Sequence, residues 1–92
     1  MTYRSEKLRR AVASLACVHC GRHGDTQAAH RNEGKGMGMK TSDALCAALC
    51  SGCHHELDSG KTMTRDERRD FWNRAFVKTM QQLIEAGVLH VA

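Results

Sequence analysis

Two CxxC pairs constrain the fold more than any other feature of the chain: Cys17 with Cys20, and Cys50 with Cys53. A CxxC turn presents two sulfurs to one ion, and two such turns complete the tetrahedral shell of a zinc ion. Four thiolates leave no open position for a reacting water. The pattern therefore predicts a structural zinc site that staples the fold, with His23 as an alternative ligand in place of one cysteine.

The small size of the chain indicates why a metal would help it fold. The sequence has 92 residues, which predicts a single domain over residues 1–92. A chain of this length buries only about 60–65% of its unfolded surface, and it contains only two Phe, one Trp and one Tyr. Zinc binding contributes roughly 10–16 kcal/mol of apparent free energy in zinc-finger peptides, which would compensate for a thin core.

The five cysteines are also compatible with a disulfide-bonded secreted scaffold. However, the first residues lead into no long apolar run of the kind found in a signal peptide. No apolar stretch approaches the roughly 20 residues that a membrane-spanning helix needs. We therefore expect a cytoplasmic protein with no membrane partner, whose reduced thiols are available to a metal. The net charge of +4 is compatible with a polyanionic partner.

The apolar spacing and the helix signals predict a small α+β fold with helices on both sides of a zinc-stapled core. In chain order we expect an amphipathic helix or arm over residues 3–16, a short strand over 25–31, a strand or a helical turn over 44–49 and a short helix over 51–58 ended by Gly60. The zinc-bound core should cover about residues 17–60. Cys46 lies in the apolar run and is expected to be a small buried residue.

A capping box marks the start of a longer C-terminal helix over about residues 64–87. Thr64 is followed three residues later by Glu67, and Gly87 is a suitable stop. The residues expected near its apolar face are Phe71, Ala75, Met80, Leu83 and Ile84.

Two segments carry basic residues that could meet phosphates. The first predicted helix contains Arg4, Lys7, Arg9 and Arg10, which form either a solvated helix face or a phosphate-contacting arm. The glycine-rich loop over 32–40 contains Lys35 and Lys40, and close approach to a DNA backbone would place these lysines against phosphates.

His54 and Asp58 are four residues apart, so both lie on one face of the predicted short helix. An imidazole and a carboxylate at this spacing can hold one divalent ion. A histidine on an opposing strand, such as His30, could then deprotonate a water against a bound phosphodiester. The alternative is an ordinary pair on a helix surface.

These residues together resemble the HNH, or ββα-metal, nuclease motif in its four-cysteine form. The resemblance is carried by Ala29-His30-Arg31, by Asp43 and by Leu49-Cys50-Ser51-Gly52-Cys53-His54-His55. Through AHRNEGKGMGMKTSD and LCSGCHHELD, nearly the whole chain is similar to the YbcO-like nucleases of lambdoid prophages.

The resemblance implies a metal-dependent endonuclease that hydrolyses phosphodiester bonds in DNA. It assigns His30 as the general base and Asp43 as the middle residue, which orients the base or assists the metal. It assigns His54 as a ligand of Mg²⁺ or another divalent ion, with Asp58 one turn further on and Asp43 as a third candidate ligand. Ala29 occupies the position at which many family members carry a ligand of the catalytic ion. His55, Asp43 or a water would then supply the missing ligand.

Two alternatives to catalysis use the same sequence features. A non-catalytic zinc module that binds nucleic acid or a protein partner needs the same four cysteines and the same positive charge. Such a module gives no reason for His30, which is therefore the discriminating residue. The second alternative is a purely structural protein that dimerises through the C-terminal helix, and such a homodimer is also compatible with either function.

Overall fold

The computed structural model describes residues 3–31 and 41–91, and it has the expected α+β architecture. The glycine-rich loop predicted over 32–40, with Lys35 and Lys40, lies outside the described residues. The elements are α1 (Glu6–Ala13), β1 (Thr26–His30), β2 (Cys46–Cys50), α2 (Ser51–Ser59) and α3 (Arg65–Glu85). None of the described helices combines the length and apolar content that crossing a bilayer requires.

The two strands form an antiparallel pair whose two faces carry different cores. Thr26 lies opposite Cys50 and His30 lies opposite Cys46. Because side chains alternate along a strand, Gln27 and Ala29 of β1 lie on the opposite face from His30. One core contains Ala29, Ala47, Leu49, Leu57 and Trp72, and the other contains Val12, Cys46, Ala48 and Leu83. Helices therefore cover both faces of the hairpin, α2 on one and α1 on the other.

All five residues of β2 are buried, which is unusual for a two-stranded sheet and requires its outer edge to be covered. The Ala48 N–H donates to Thr79 Oγ1 on α3 at 2.9 Å. The Ala48 carbonyl accepts from the Val18 N–H at 3.0 Å. Both outward-facing backbone groups of this residue are therefore satisfied, as burial demands.

The long helix α3 begins as predicted, because Thr64 and Glu67 form a reciprocal capping box. Its buried stripe is Trp72, Ala75, Thr79 and Leu83. The prediction that Ile84 shares the apolar face is wrong, since this side chain is exposed. The helix packs against the edge of β2 through Thr79, so its buried residues lie on the same side as Thr79. Successive residues of a helix are rotated by about 100°, so Ile84 points away from the side that buries Leu83.

The first helix is shorter than the predicted span of 3–16. The Ser5 side chain accepts from the Leu8 N–H and caps α1, which ends at Ala13. The short strands and α2 agree with their predicted positions to within two residues, and Gly60 ends α2 in a left-handed conformation with φ of 68°.

We expect Thr79→Val to destabilise the protein by about 1–3 kcal/mol, because valine keeps the shape of threonine but leaves the buried Ala48 N–H without an acceptor. Thr79→Ser is the matched control, since it keeps the hydroxyl and loses one methyl group, at a cost of about 1 kcal/mol. Urea denaturation of the three proteins measures both effects. A valine variant as stable as the wild type would contradict the assigned role of this hydroxyl.

Candidate metal centre and the His30–Asp43 cluster

The four cysteines of the two CxxC pairs converge on one point. Their sulfur atoms all lie within 4.8 Å of one another, and the Cys20 and Cys50 sulfurs are 3.6 Å apart. A tetrahedral zinc with Zn–S bonds of about 2.3 Å separates its sulfurs by about 3.8 Å. All five cysteines of the chain carry free thiols. The cluster therefore fits a zinc ion, and the disulfide alternative is wrong for this structure.

The first pair lies on a tight turn between α1 and β1. The Cys20 N–H points at the Cys17 sulfur at 3.5 Å, and the Gly21 N–H donates to the Cys17 carbonyl at 2.9 Å. Gly21 has a φ of 81°, a conformation that favours glycine. This backbone geometry holds both sulfurs on the same side of the turn.

The second pair joins β2 to α2. Cys50 ends β2 and is also the N-cap of α2, where its sulfur accepts from the Cys53 N–H at 3.5 Å. Cys53 lies in the first turn of this helix, whose N-terminus favours negative charge. The Ser51 N–H donates to the Asp25 carbonyl at 3.2 Å, which ties the start of α2 to the residue before β1.

The electrostatics of the four sulfurs favour a cation between them. Burial opposes ionisation of Cys17, but hydrogen bonds from backbone groups of Cys20, Cys50 and His19 lower the pKa of its thiol to about 6. Burial and the neighbouring sulfurs raise the pKa of the Cys53 thiol. The four groups therefore do not all ionise without a counter-charge. A zinc ion would supply it, and sulfur donors are the ligands that zinc accepts in structural sites.

The remaining residues near this cluster are not part of it. His23 does not belong to the group of converging ligand atoms, so it is not needed as a substitute. The exposed His19 ring lies 4.5 Å from the Phe71 ring. Cys46 is buried as predicted, and burial, together with the nearby Asp43, raises the pKa of its thiol to about 11.

His30 and Asp43 form a second cluster. His30 Nε2 lies 2.8 Å from Asp43 Oδ1, with the Asp43 side chain 0% exposed and the His30 side chain 25% exposed. The Asp43 carboxylate also accepts hydrogen bonds from the Ser5 N–H at 2.7 Å and from Arg9, and Arg4 Nη1 forms an ion pair with it at 3.2 Å. Burial alone would raise the pKa of Asp43, but hydrogen bonds from His30, Ser5 and Arg9 and the charge of Arg4 lower it to about 2.

An ionised Asp43 fixes the chemistry of the imidazole beside it. A carboxylate only accepts hydrogen bonds, so Nε2 of His30 must donate. In the neutral imidazole, Nδ1 then carries the lone pair. Because the ring is partly exposed, this arrangement is able to take a proton from a bound water.

His54 and Asp58 are paired on α2 as their spacing predicts. His54 Nε2 lies 3.2 Å from Asp58 Oδ2, and His54 Nδ1 lies 2.8 Å from Gln27 Oε1. Gln27 is on the face of β1 opposite His30. The structure therefore places His54 and His30 on opposite sides of the hairpin.

Asp43, one of the candidates for a third ligand of the catalytic ion, is not grouped with His54 and Asp58. Among residues 3–31 and 41–91, three or more metal-ligating side chains converge at two places: the four cysteines, and His30 with Asp43 and Cys46. The reason is that α1 and the residues just before it place Arg9 and Arg4 against Asp43. These partners are distant from Asp43 in the sequence, and Arg9 is separated from it by 34 residues. In the sequence, only the positive charge of these residues in a predicted amphipathic helix indicated a functional role.

Comparisons of the chain with protein-family models, with curated proteins and with solved structures gave no match. The cysteine cluster and the His30–Asp43 cluster are thus the features from which a function can be inferred.

We expect the purified protein to contain one zinc ion per chain and to lose its cooperative thermal transition when a strong chelator removes the metal. Cys50→Ser should have the same effect, because the sulfur shell also holds the hairpin to α2. His54→Ala should stay folded and keep its zinc. Elemental analysis and circular dichroism check these results. A full cooperative melt of the protein after chelator treatment would contradict the expectation that the metal site stabilises the fold.

We expect Asp43→Asn to destabilise the protein by about 1–3 kcal/mol at neutral pH, since the neutral amide weakens several charge-assisted hydrogen bonds at once. The folded pKa of about 2 lies below the ordinary value of 3.8. The contribution of Asp43 is therefore complete above that ordinary value and lost as the pH falls towards about 2. Denaturant titration at pH 7 measures it.

Asp70→Asn is the matched control for this variant. Asp70 pairs with Arg74 on the exposed surface of α3, where such a pair contributes about 0–1 kcal/mol. Equal stability of the two variants would show that the contacts of Asp43 contribute no more to the free energy of unfolding than an exposed ion pair does.

Proposed function

We propose that this protein is a metal-dependent endonuclease of the HNH type that hydrolyses phosphodiester bonds in DNA. The observation that carries the proposal is the 2.8 Å contact between His30 Nε2 and Asp43 Oδ1. It supports His30 as a general base and Asp43 as the residue that orients it. A positioned imidazole of this kind contributes about 10²–10⁴-fold to a hydrolytic rate.

The proposed role of Asp43 differs from that of a metal ligand. The carboxylate holds the Nε2–H of His30 and thereby selects the tautomer whose Nδ1 accepts a proton. A water hydrogen-bonded to Nδ1 would transfer its proton to the ring as it attacks the phosphorus. The contacts with Ser5, Arg4 and Arg9 keep the carboxylate charged and fixed in place.

His54 and Asp58 remain the residues that would hold Mg²⁺ or another divalent ion. The Asp58 carboxylate suits Mg²⁺, which characteristically keeps several waters beside one or two protein ligands, whereas the His54 imidazole suits a divalent transition-metal ion. The ion would supply stabilisation of charge on the phosphate. The net charge of +4 supports a polyanionic substrate.

A non-catalytic zinc module that binds nucleic acid is the second candidate function. The specific observation in its favour is that His54 contacts Gln27, on the opposite face of β1 from His30. A binding module does not require a base and an ion site to meet at one phosphate, so it accommodates their placement on opposite faces of the hairpin. In this alternative, His30 and Asp43 serve to join α1 to the hairpin.

We expect the wild-type protein to nick supercoiled plasmid when Mg²⁺ or Mn²⁺ is added and His30→Ala to do so about 10²–10⁴-fold more slowly. His90→Ala is the control, since His90 is exposed and lies beyond α3. Agarose-gel assays of metal-loaded, folded proteins measure the rates. Equal cutting by wild type and His30→Ala, or cutting by neither, favours the non-catalytic module.

A further inference from the structure

The N-terminal helix and the residues just before it bring two arginines to the carboxylate that holds His30. Arg4 Nη1 lies 3.2 Å from Asp43 Oδ1, and Arg9 Nη1 contacts Asp43 Oδ2. The Ser5 N–H binds the same carboxylate at 2.7 Å. Residues of the helix start thus converge on the end of β1 where His30 lies.

The two guanidinium groups are held at one edge and remain accessible at the other. Their side chains are 44% and 33% exposed for Arg4 and Arg9. Within the described part of the chain, their polar contacts use Nη1, and those of Arg4 also include the Thr41 carbonyl. An arginine has five N–H donors in a planar fork, and the forks that remain suit the oxygens of a phosphate.

The charges of this cluster favour an anion. Two guanidinium groups carry two positive charges, and the single buried carboxylate balances one of them. The same excess disfavours a metal ion at His30, Asp43 and Cys46, although their ligand atoms lie within 4.8 Å of one another. The protonated thiol of Cys46 is also a poor ligand. The cluster therefore presents positive charge and donors beside an imidazole.

We propose that Arg4 and Arg9, held in place by Asp43, form a site for a backbone phosphate of DNA next to His30. This site adds a substrate contact to the proposed function. The identification of the polymer as DNA rests on that proposed function. The site places the phosphate beside the carboxylate that holds Nε2 of His30. Binding itself needs neither the divalent ion nor catalysis.

The helix supplies its own control residue. Arg10 is adjacent to Arg9 and has the same charge, but it pairs with Glu6 on the exposed surface at 2.7 Å. Loss of Arg10 changes the net charge of the protein as much as loss of Arg9 does. If DNA were bound by general electrostatic attraction, both changes would lower the affinity equally. If DNA binds at a specific site, only the loss of Arg4 or Arg9 lowers the affinity.

The test is the affinity of the zinc-loaded protein for a fluorescein-labelled DNA duplex of about 20 base pairs, with no divalent ion added. Anisotropy titrations between about 50 and 200 mM KCl give the affinity and its salt dependence. We expect Arg4→Gln and Arg9→Gln each to weaken binding about tenfold and to reduce the salt slope by about 1. Arg10→Gln should change the affinity by about twofold or less.

Arg9→Lys keeps the inference testable if Arg9→Gln does not fold, since lysine retains the charge next to Asp43. We expect it to keep most of the salt slope and to lose less affinity than the glutamine variant. Thermal melts and zinc content establish that each variant is folded. Equal affinities for Arg4→Gln, Arg9→Gln and Arg10→Gln would overturn the site, as would a wild-type protein that does not bind the duplex.

The outcomes separate this inference from the proposed function. If Arg4→Gln and Arg9→Gln lose affinity while neither wild type nor His30→Ala nicks plasmid, the phosphate site stands and the nuclease does not. If wild type nicks plasmid, His30→Ala does not, and both arginine variants bind like Arg10→Gln, the nuclease stands and the phosphate site fails.

Discussion

The convergence of four sulfur atoms is the constraint on which the rest of the structure depends. Four thiols within 4.8 Å cannot all ionise unless a cation lies between them. The cysteine cluster joins a turn that precedes β1 to a turn that joins β2 and α2. This convergence fixes where the hairpin starts and how α2 leaves it, and the positions of His54 and Asp58 follow from the second turn.

The apolar core is small, and its composition explains how three helices fit around two strands. Ala28, Ala29, Ala47 and Ala48 occupy the middle of the hairpin, and such short side chains let helices approach both faces closely. The edge of β2 is closed by the hydroxyl of Thr79, which replaces a neighbouring strand as the hydrogen-bond partner of Ala48. Strand β2 is consequently enclosed, whereas His30 and its partner Asp43 lie at one end of the hairpin.

Local signals in the sequence were sufficient to predict the elements and the convergence of the four cysteines. The CxxC turns, the capping box at Thr64 and the glycine after α2 act over a few residues, so each could be recognised without knowing the fold. The contacts of Asp43 could not, because they join α1 to a segment more than 30 residues away. Neither could the orientation of α3, since its buried stripe depends on the position of the β2 edge, which left Ile84 exposed.

The network around Asp43 is better explained by the positioning of groups than by stability. Removing a carboxylate from water is costly, and a buried ion pair is often no more stabilising than apolar residues of the same shape. A core built only for stability would have no need of a carboxylate with two arginines and an imidazole around it. What this arrangement does provide is fixed geometry: it sets the tautomer of His30 and aligns two guanidinium groups beside the ring. Fixed geometry at a partly exposed edge is what recognition of a phosphate, or attack on it, requires.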